Sequence, residues 1–533
     1  MTAPATVANS ALTIFPDGYV PVLPGTSVDY SAVGGVQGTW NGWNVDLSGS
    51  FGHNHLDQWA RNTVNASLGA ASPTSFYVGR TAFEQTIGDL TASQDFGRVA
   101  FLQNLNVAIG AQVRRDRFEV TRGSPESYAV GPLAITGKAS GANGRPGYAP
   151  ADEIGISRTN VGGFVDVEAD FSEALLIATA LRYEDYSDFG GNLSGKFAAR
   201  YKLNDVLAVR GSYNRGFRAP SLAQIGNRVT TSTVQNNLIL QTQQISSGDP
   251  RLATLGVPQP KAETSDSYSV GVTGAYPDFL AGRVTFTLDA FDIEIKDRIA
   301  ITDGLLSASF PTVASLFPGV REIRFFTNQI DTRTRGLDAV VTYKTQIGDD
   351  DLSLTLAGTR SRTKVRDQRA TPPALLVGAS LANQSLLLVG PTAIELIEVA
   401  QPRTKVVASM TYKRGPLAFG VNATHFGNVK ANSNGLNGAD GNVTCDVANR
   451  YVQTFGAKEL VDLNLTYAFE NGLAVTAGVN NVFDVYPDKW NNTADGNRGQ
   501  AASYSDGQTP YTRNAGQFGF NGAYYYLTTN YQF

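Results

Sequence analysis

Apolar residues recur at every second position through segment after segment of this chain. In KELVDLNLTYAFE, Val461, Leu463, Leu465, Tyr467 and Phe469 share one face, opposite Asp462, Asn464 and Thr466. GLAVTAGVNN aligns Leu473, Val475, Ala477 and Val479 in the same way, and RTKVVASMTYK aligns Val406, Ala408, Met410 and Tyr412. The C-terminal GAYYYLTTNYQF alternates to its last residue, with Tyr525, Leu527, Tyr531 and Phe533 on one face. A period of two belongs to β-strands, not helices. Each segment is about as long as the roughly 9–11 residues with which a tilted strand crosses a bilayer. No stretch approaches the roughly 20 apolar residues of a membrane helix, but hydropathy does not exclude a transmembrane barrel, where only alternate residues face lipid.

The connections fall into two kinds. Short polar ones are DFSE (170–173), KLND (202–205), YPDFLAG (276–282), QIGDD (346–350), KRGP (413–416) and AFENG (468–472). Long ones lie at 54–74, 119–158, 219–262, 299–330, 365–401, 428–457 and 486–517, the tight DFGGN (188–192) standing where another long loop is due. A barrel with short periplasmic turns and long external loops has this pattern. Strands running toward the short turns carry a tyrosine near that end: Tyr201, Tyr276, Tyr343, Tyr412, Tyr467 and Tyr531. An aromatic at one fixed depth reads as an interfacial girdle. Counted back from Phe533, the expected strands are 518–533, 472–485, 458–469, 416–427, 402–413, 351–364, 332–346, 283–298, 263–276, 205–218, 191–203, 173–188, 159–170, 98–118, 75–95, 42–53 and 30–39. The fold class is therefore all-β, an antiparallel transmembrane barrel of about seventeen strands. Single-chain bacterial barrels have even strand numbers, so either the count is off by one or the chain is incomplete. Within the loops, 371–399 mixes leucines with prolines and suits one or two helical turns.

Composition agrees. Glycine numbers 55, aromatic residues make up 10%, and methionine and cysteine are nearly absent, which suits strands and turns. A net charge of −4, with 17% charged residues and no basic stripe, excludes a nucleic-acid binder. The single Cys445 has no cysteine partner and reads as an incidental loop residue. The N-terminus lacks the charged and apolar regions of a secretory signal.

Signals for chemistry are thin, and no enzyme or cofactor is expected. The histidines are His53, His55 and His425; His53 and His55 share a strand face and could share a metal, but a girdle or rim role fits better. Asp349, Asp350 and Asp351 read as solvated turn charge, without calcium-loop spacing. No glycine-rich stretch has the strand–helix setting of a nucleotide loop.

One stretch carries a resemblance. VRGSYNRGFRAPSLAQI (209–225) is similar to the signature region of TonB-dependent outer-membrane receptors, in which a strand ends in Gly-Phe-Arg-Ala-Pro-Ser before a long external loop. FPDGYVP, WNVDLSGSFGHN, NASLGAASPTSFYVG (65–79), FFTNQIDTRTRGLDAVVTYK (325–344), QPRTKV (401–406) and GVNNVFDVYP (478–487) extend it over nearly the whole chain. The resemblance implies a 22-stranded barrel filled by an N-terminal plug, and TonB-driven import of iron–siderophore complexes, cobalamin or similar nutrients. It makes residues 1–533 one barrel domain, N-terminally truncated, with no signal peptide, TonB-contacting segment or plug before Val28 and with strands numbered six to twenty-two. Expressed alone, such a chain should misassemble at its unpaired seam. The implied partners are outer-membrane lipid, the barrel assembly machinery, a small ligand such as a ferric siderophore, and TonB only through a plug.

Within the motif, Gly216, Phe217, Arg218, Ala219, Pro220 and Ser221 read as structural: the glycine permits a bend, the ring anchors it and the proline ends ladder pairing. Arg210 and Arg218 are the basic residues that a lumen or rim could offer to an anionic ligand. Tyr531 and Phe533 resemble the C-terminal signal by which such barrels are recognised for assembly. Two other functions remain open, a passive porin-like channel and a secreted, soluble β-rich adhesin or carbohydrate-binding protein.

Overall fold

A computed structural model describes residues 13–235, 238–380, 383, 387–433, 451–489, 511 and 516–532; Cys445 and Phe533 lie outside them. Seventeen strands form one sheet. They are β1 (Gly25–Trp40), β2 (Trp43–Arg61), β3 (Ser75–Asp95), β4 (Asn104–Arg122), β5 (Ile154–Asp170) and β6 (Leu175–Tyr186). The chain continues through β7 (Gly190–Lys202), β8 (Leu207–Arg218), β9 (Glu263–Phe279), β10 (Gly282–Ile301), β11 (Phe326–Ile347) and β12 (Asp350–Gln368). The last five are β13 (Thr404–Arg414), β14 (Leu417–Phe426), β15 (Lys458–Ala468), β16 (Leu473–Asn480) and β17 (Tyr524–Tyr531). Each pairs antiparallel with the next in chain order, and β1 and β17 each have one hydrogen-bonded neighbour among the described residues. None of the described helices is long and apolar enough to cross a membrane.

The strand count matches the alternation, but several boundaries do not. On the long-loop side β2 runs to Arg61 instead of 53, β4 to Arg122 instead of 118 and β12 to Gln368 instead of 364; β5 and β11 start at Ile154 and Phe326 instead of 159 and 332. Backbone pairing continues there after the apolar alternation stops, because outside a bilayer no face is required to be apolar. The opposite error occurs at the ends read from alternation alone. β16 stops at Asn480 because Asn481 and Asp484 take positive φ (55° and 54°), and β17 starts only at Tyr524. β4 starts at Asn104, since residues 96–103 form a turn closed by a Val99–Leu102 bridge.

Register sorts the side chains into two faces. Leu47 lies opposite Val36 and Leu90, Val165 opposite Ile109 and Leu181, Val341 opposite Phe286 and Leu356, and Leu463 opposite Val421 and Val479. This apolar row crosses the sheet from β1 to β17, where Tyr525 and Leu527 extend it. The alternate row is polar and bonded across strands, as in Ser212–Ser269 at 2.7 Å, Thr342–Thr355 at 3.1 Å and Thr466–Thr476 at 2.8 Å. Tyr201, Tyr276, Tyr343, Tyr412, Tyr467 and Tyr531 all fall on the apolar face at the short-turn end. The Asn41–Gly42 hairpin has φ of 49° and 85°, the paired positive values that a two-residue turn between twisted strands needs. Glycines also admit aromatic rings across the ladder: Phe164 covers Gly110, and Tyr526 covers Gly478, each ring standing where a Cβ would be.

The hydrophobic core lies at the long-loop end of this wall and in the loops beyond it. The largest fully buried side chains all belong to the long-loop end, and the main cluster joins Ile245, Leu252, Leu305, Phe317, Phe325 and Leu375 from three loops. Pro373–Leu376 and Pro391–Glu398 form the short helices expected within 371–399.

Candidate functional site at the long-loop end

The Gly-Phe-Arg-Ala-Pro-Ser stretch closes β8 and turns the chain into a loop. Arg218 pairs with Glu263 on β9, Nε to Oε2 at 3.0 Å and Nη2 to Oε1 at 2.5 Å. Glu263 is 5% exposed and also accepts the Ile299 N–H at 2.7 Å. The Phe217 ring meets Tyr186 edge-on, with centroids 5.8 Å apart. Pro220 offers its carbonyl to Arg158 Nη2 at 2.8 Å, and Ser221 caps a helical turn, Leu222–Gly226, through a reciprocal bond with Gln224.

Arg158 explains the one short connection on this side. It is 4% exposed, bonds Asp188 through Nε at 2.9 Å to each carboxylate oxygen, and lies over the rings of Tyr186 and Phe189. Asp188 and Phe189 are the tight β6–β7 turn, so that turn and the motif grip one buried guanidinium. The motif was readable in sequence; Arg158, 62 residues from Pro220, was not. The unexpected shortness of DFGGN was the only sequence signal that pointed to its partner.

A second set ties loops to one another. Arg228 bridges Asp152 at 3.3 Å and Asp249 at 2.7 Å, and Arg251 bonds Asp249 while its guanidinium sits 4.2 Å over Phe317. Burial alone would raise the Asp249 carboxyl, but the Arg251 side chain and backbone N–H bonds, with the nearby Arg251 and Arg228 charges, hold it below the ordinary carboxylate range. The connections 123–153, 219–262 and 302–325 are thereby joined into one cap.

Along the polar face two networks descend from this cap. Gln112 bonds Asp89 at 2.6 Å and Arg182 at 3.0 Å, Arg182 reaches Glu184 at 3.2 Å, and Arg114 reaches Tyr186 at 3.3 Å. Further round, Arg210 is held by Asp289, Nε to Oδ1 at 2.8 Å and Nη2 to Oδ2 at 2.5 Å. Lys196, Arg200, Arg210, Asp289 and Asp338 line a concavity of about 640 Å³ on this face. Arg210 therefore lies on the polar face and Arg218 at the rim; each is already paired with a carboxylate.

The histidines occupy the opposite, apolar face above its belt. His53 Nδ1 meets Glu84 at 3.1 Å, His53 Nε2 meets His55 Nδ1 at 3.1 Å, and Tyr30 stacks on His53 at 4.8 Å. His425 meets Glu459 at 2.9 Å. Among the described residues no group of three His, Cys, Asp or Glu side chains has the geometry to hold a metal.

A wall with one apolar face, one polar face, a tyrosine row at the short-turn end and a packed cap at the other defines an outer-membrane β-barrel. A model of the TonB dependent receptor-like β-barrel family matches residues 6–482, and the chain belongs to that family. The family is one of receptors and transporters, not an enzyme class. The ferric enterobactin receptor PirA of Pseudomonas aeruginosa is 29% identical over 126 residues, 24% of this chain and 16% of that protein. Among solved structures, the siderophore receptor PirA from Acinetobacter baumannii superposes with a TM-score of 0.57 at 16% identity, over 96% of this chain and 63% of that one. The pyoverdine receptor FpvA from Pseudomonas aeruginosa gives 0.56 at 15% identity, over 87% of this chain and 58% of that one. The chain thus spans less than two thirds of the length of these relatives. The apolar row running through all seventeen strands excludes the secreted, soluble alternative.

Proposed function

We propose that these 533 residues are the barrel portion of a TonB-driven importer whose ligand is a ferric siderophore or a similar scarce nutrient. The family match across residues 6–482 carries this reading. The similar proteins described above, receptors for ferric enterobactin, for pyoverdine and for siderophores, support the ligand class. In this reading the cap and the polar face collect the ligand. The pairing of Arg210 with Asp289 and of Arg218 with Glu263 makes both guanidiniums wall and rim supports, so an anionic ligand would meet Lys196 and Arg200 on the polar face before either of them. Energised opening would come from TonB acting on a plug, and the barrel assembly machinery would insert the wall, with Tyr531 and Phe533 as its C-terminal signal.

The test is uptake of radiolabelled iron on a panel of catecholate and hydroxamate siderophores by cells that carry or lack the gene. Loss of uptake on deletion, its recovery on complementation and its absence without TonB are expected. A steady ion conductance of the protein in planar bilayers, with solute uptake independent of TonB, would instead establish the porin-like channel.

A further inference from the structure

Outward-facing charge should be scarce at the level of the lipid belt, yet β11 and β12 carry a concentrated set of cations directly above it. Strand parity fixes their direction. Leu337, Ala339, Val341 and Tyr343 share the apolar face of β11, and Arg335 and Arg333 continue that same row upward without a register shift. On β12 the row Leu352, Leu354, Leu356 and Gly358 continues as Arg360, Arg362 and Lys364. Arg360 is directly opposite Leu337, at the upper edge of the belt. Eight residues of tilted strand above Leu352 place it about 20 Å from the tyrosine level, close to the outer boundary of a band roughly 25 Å tall.

The pairing there is unfavourable unless something anionic joins it. Arg335 faces Arg362 and Arg333 faces Lys364 across the ladder, and like charges directly opposite destabilise a sheet. Asp292 on β10 serves two of these cations, accepting from Arg333 at 2.7 and 2.6 Å and from Arg335 at 2.8 Å. Lys364 is held by Glu398 at 2.6 Å. Arg360 and Arg362 are exposed, and neither has a carboxylate within ion-pair distance among the described residues. Directly below them Leu337 and Leu356 are 52% and 53% exposed. Two free guanidiniums above an aliphatic strip match an amphiphile whose phosphates lie over its acyl chains.

We propose that the outward face of β11 and β12 is a binding site for a phosphate-bearing glycolipid of the outer leaflet. Arg360 and Arg362 take its phosphates, Arg335 supports them from the neighbouring strand, and the acyl chains lie on Leu337, Val341, Leu354 and Leu356. The site is on the lipid side of the wall, so it is independent of the import reading. It would hold the barrel at a fixed depth and neutralise the Arg335–Arg362 repulsion.

The test uses the full polypeptide extracted from outer membranes and placed in phosphatidylcholine nanodiscs, with diphosphoryl lipid A titrated and bound lipid counted by native mass spectrometry. Binding by the parent protein is expected to fall about tenfold or more when lipid A is dephosphorylated, and by a similar factor in the R360A/R362A double variant. R360K/R362K should recover most of the loss, and R98A, in the exposed 96–103 turn at the opposite end of the wall, should bind as the parent does. Equal binding of phosphorylated and dephosphorylated lipid A would overturn the site without any variant. Displacement of lipid A by inorganic phosphate alone would also overturn it, by showing a phosphate site in place of a lipid site.

Discussion

The spanning wall and the cap are held together by different physics within one chain. In the wall, the apolar side chains stay exposed on the sheet surface: Leu47, Leu288, Leu337 and Leu356 are each about half exposed, and cohesion comes from continuous antiparallel ladders. In the cap, Ile245, Leu252, Leu305 and Phe325 are at most 1% exposed, in the close-packed manner of a water-soluble protein. Lipid contributes to the wall what a hydrophobic core contributes to the cap. The same change of residue should therefore have different consequences in the two regions.

The largest difference is expected from aromatic truncation. Phe325→Ala in the cap should cost about 3–5 kcal/mol of local stability, read as lost hydrogen-exchange protection in 302–325. Phe286→Ala on the lipid face should leave that protection intact. Comparable losses from both would mean that the two regions form one cooperative unit. Leu356→Arg reverses the contrast: at lipid depth it should cost about 2–4 kcal/mol, less toward the interface, and lower the unfolding midpoint in lipid. An unchanged midpoint would remove Leu356 from the belt.

Arg228→Ala should loosen the cap by about 1–3 kcal/mol, since it strips a charged bond from the nearly buried Asp249 carboxylate. Its effect has a pH signature. The folded Asp249 pKa lies below its unfolded value, so its stabilisation is fully present above the unfolded value and is lost as pH falls through the folded one. The parent–variant gap in cap protection should be flat at neutral pH and shrink below about pH 4. A gap that instead narrowed between pH 6 and 8 would point to some other group. The smallest effect is expected from Ser221→Ala, about 1 kcal/mol from a lost helix cap, confined to protection of 222–226. Loss of the whole cap in that variant would make the motif far more than a local bend.

The wall was legible in the sequence because lipid enforces a simple rule at every second position. That rule yielded all seventeen strands and placed six tyrosines on one face at one end. It failed where lipid stops: β2, β4 and β12 continue past their apolar alternation, and Asn481 ends β16 inside a run that still alternates. The cap was largely illegible, because its contacts join residues far apart in sequence. The pair Arg158 and Pro220 and the pair Arg228 and Asp152 depend on which loops meet, which no local pattern encodes. Glu263, which occupies Arg218, stands 45 positions further along the chain. The candidate site was therefore half visible, with the motif legible as a distinct stretch and its carboxylate partner unseen.

The rings that cover glycines have a consequence for how such a wall changes over generations. Tyr526 fills the place of the side chain that Gly478 lacks, so a Cβ there would collide with the ring. Alanine at Gly478 becomes tolerable only after Tyr526 has become small, and a small residue at Tyr526 first opens a gap. The order of the two steps decides whether the path is passable. Sites joined in this way should differ between descendants in pairs, glycine with a ring or a side chain with a smaller neighbour, and seldom one at a time.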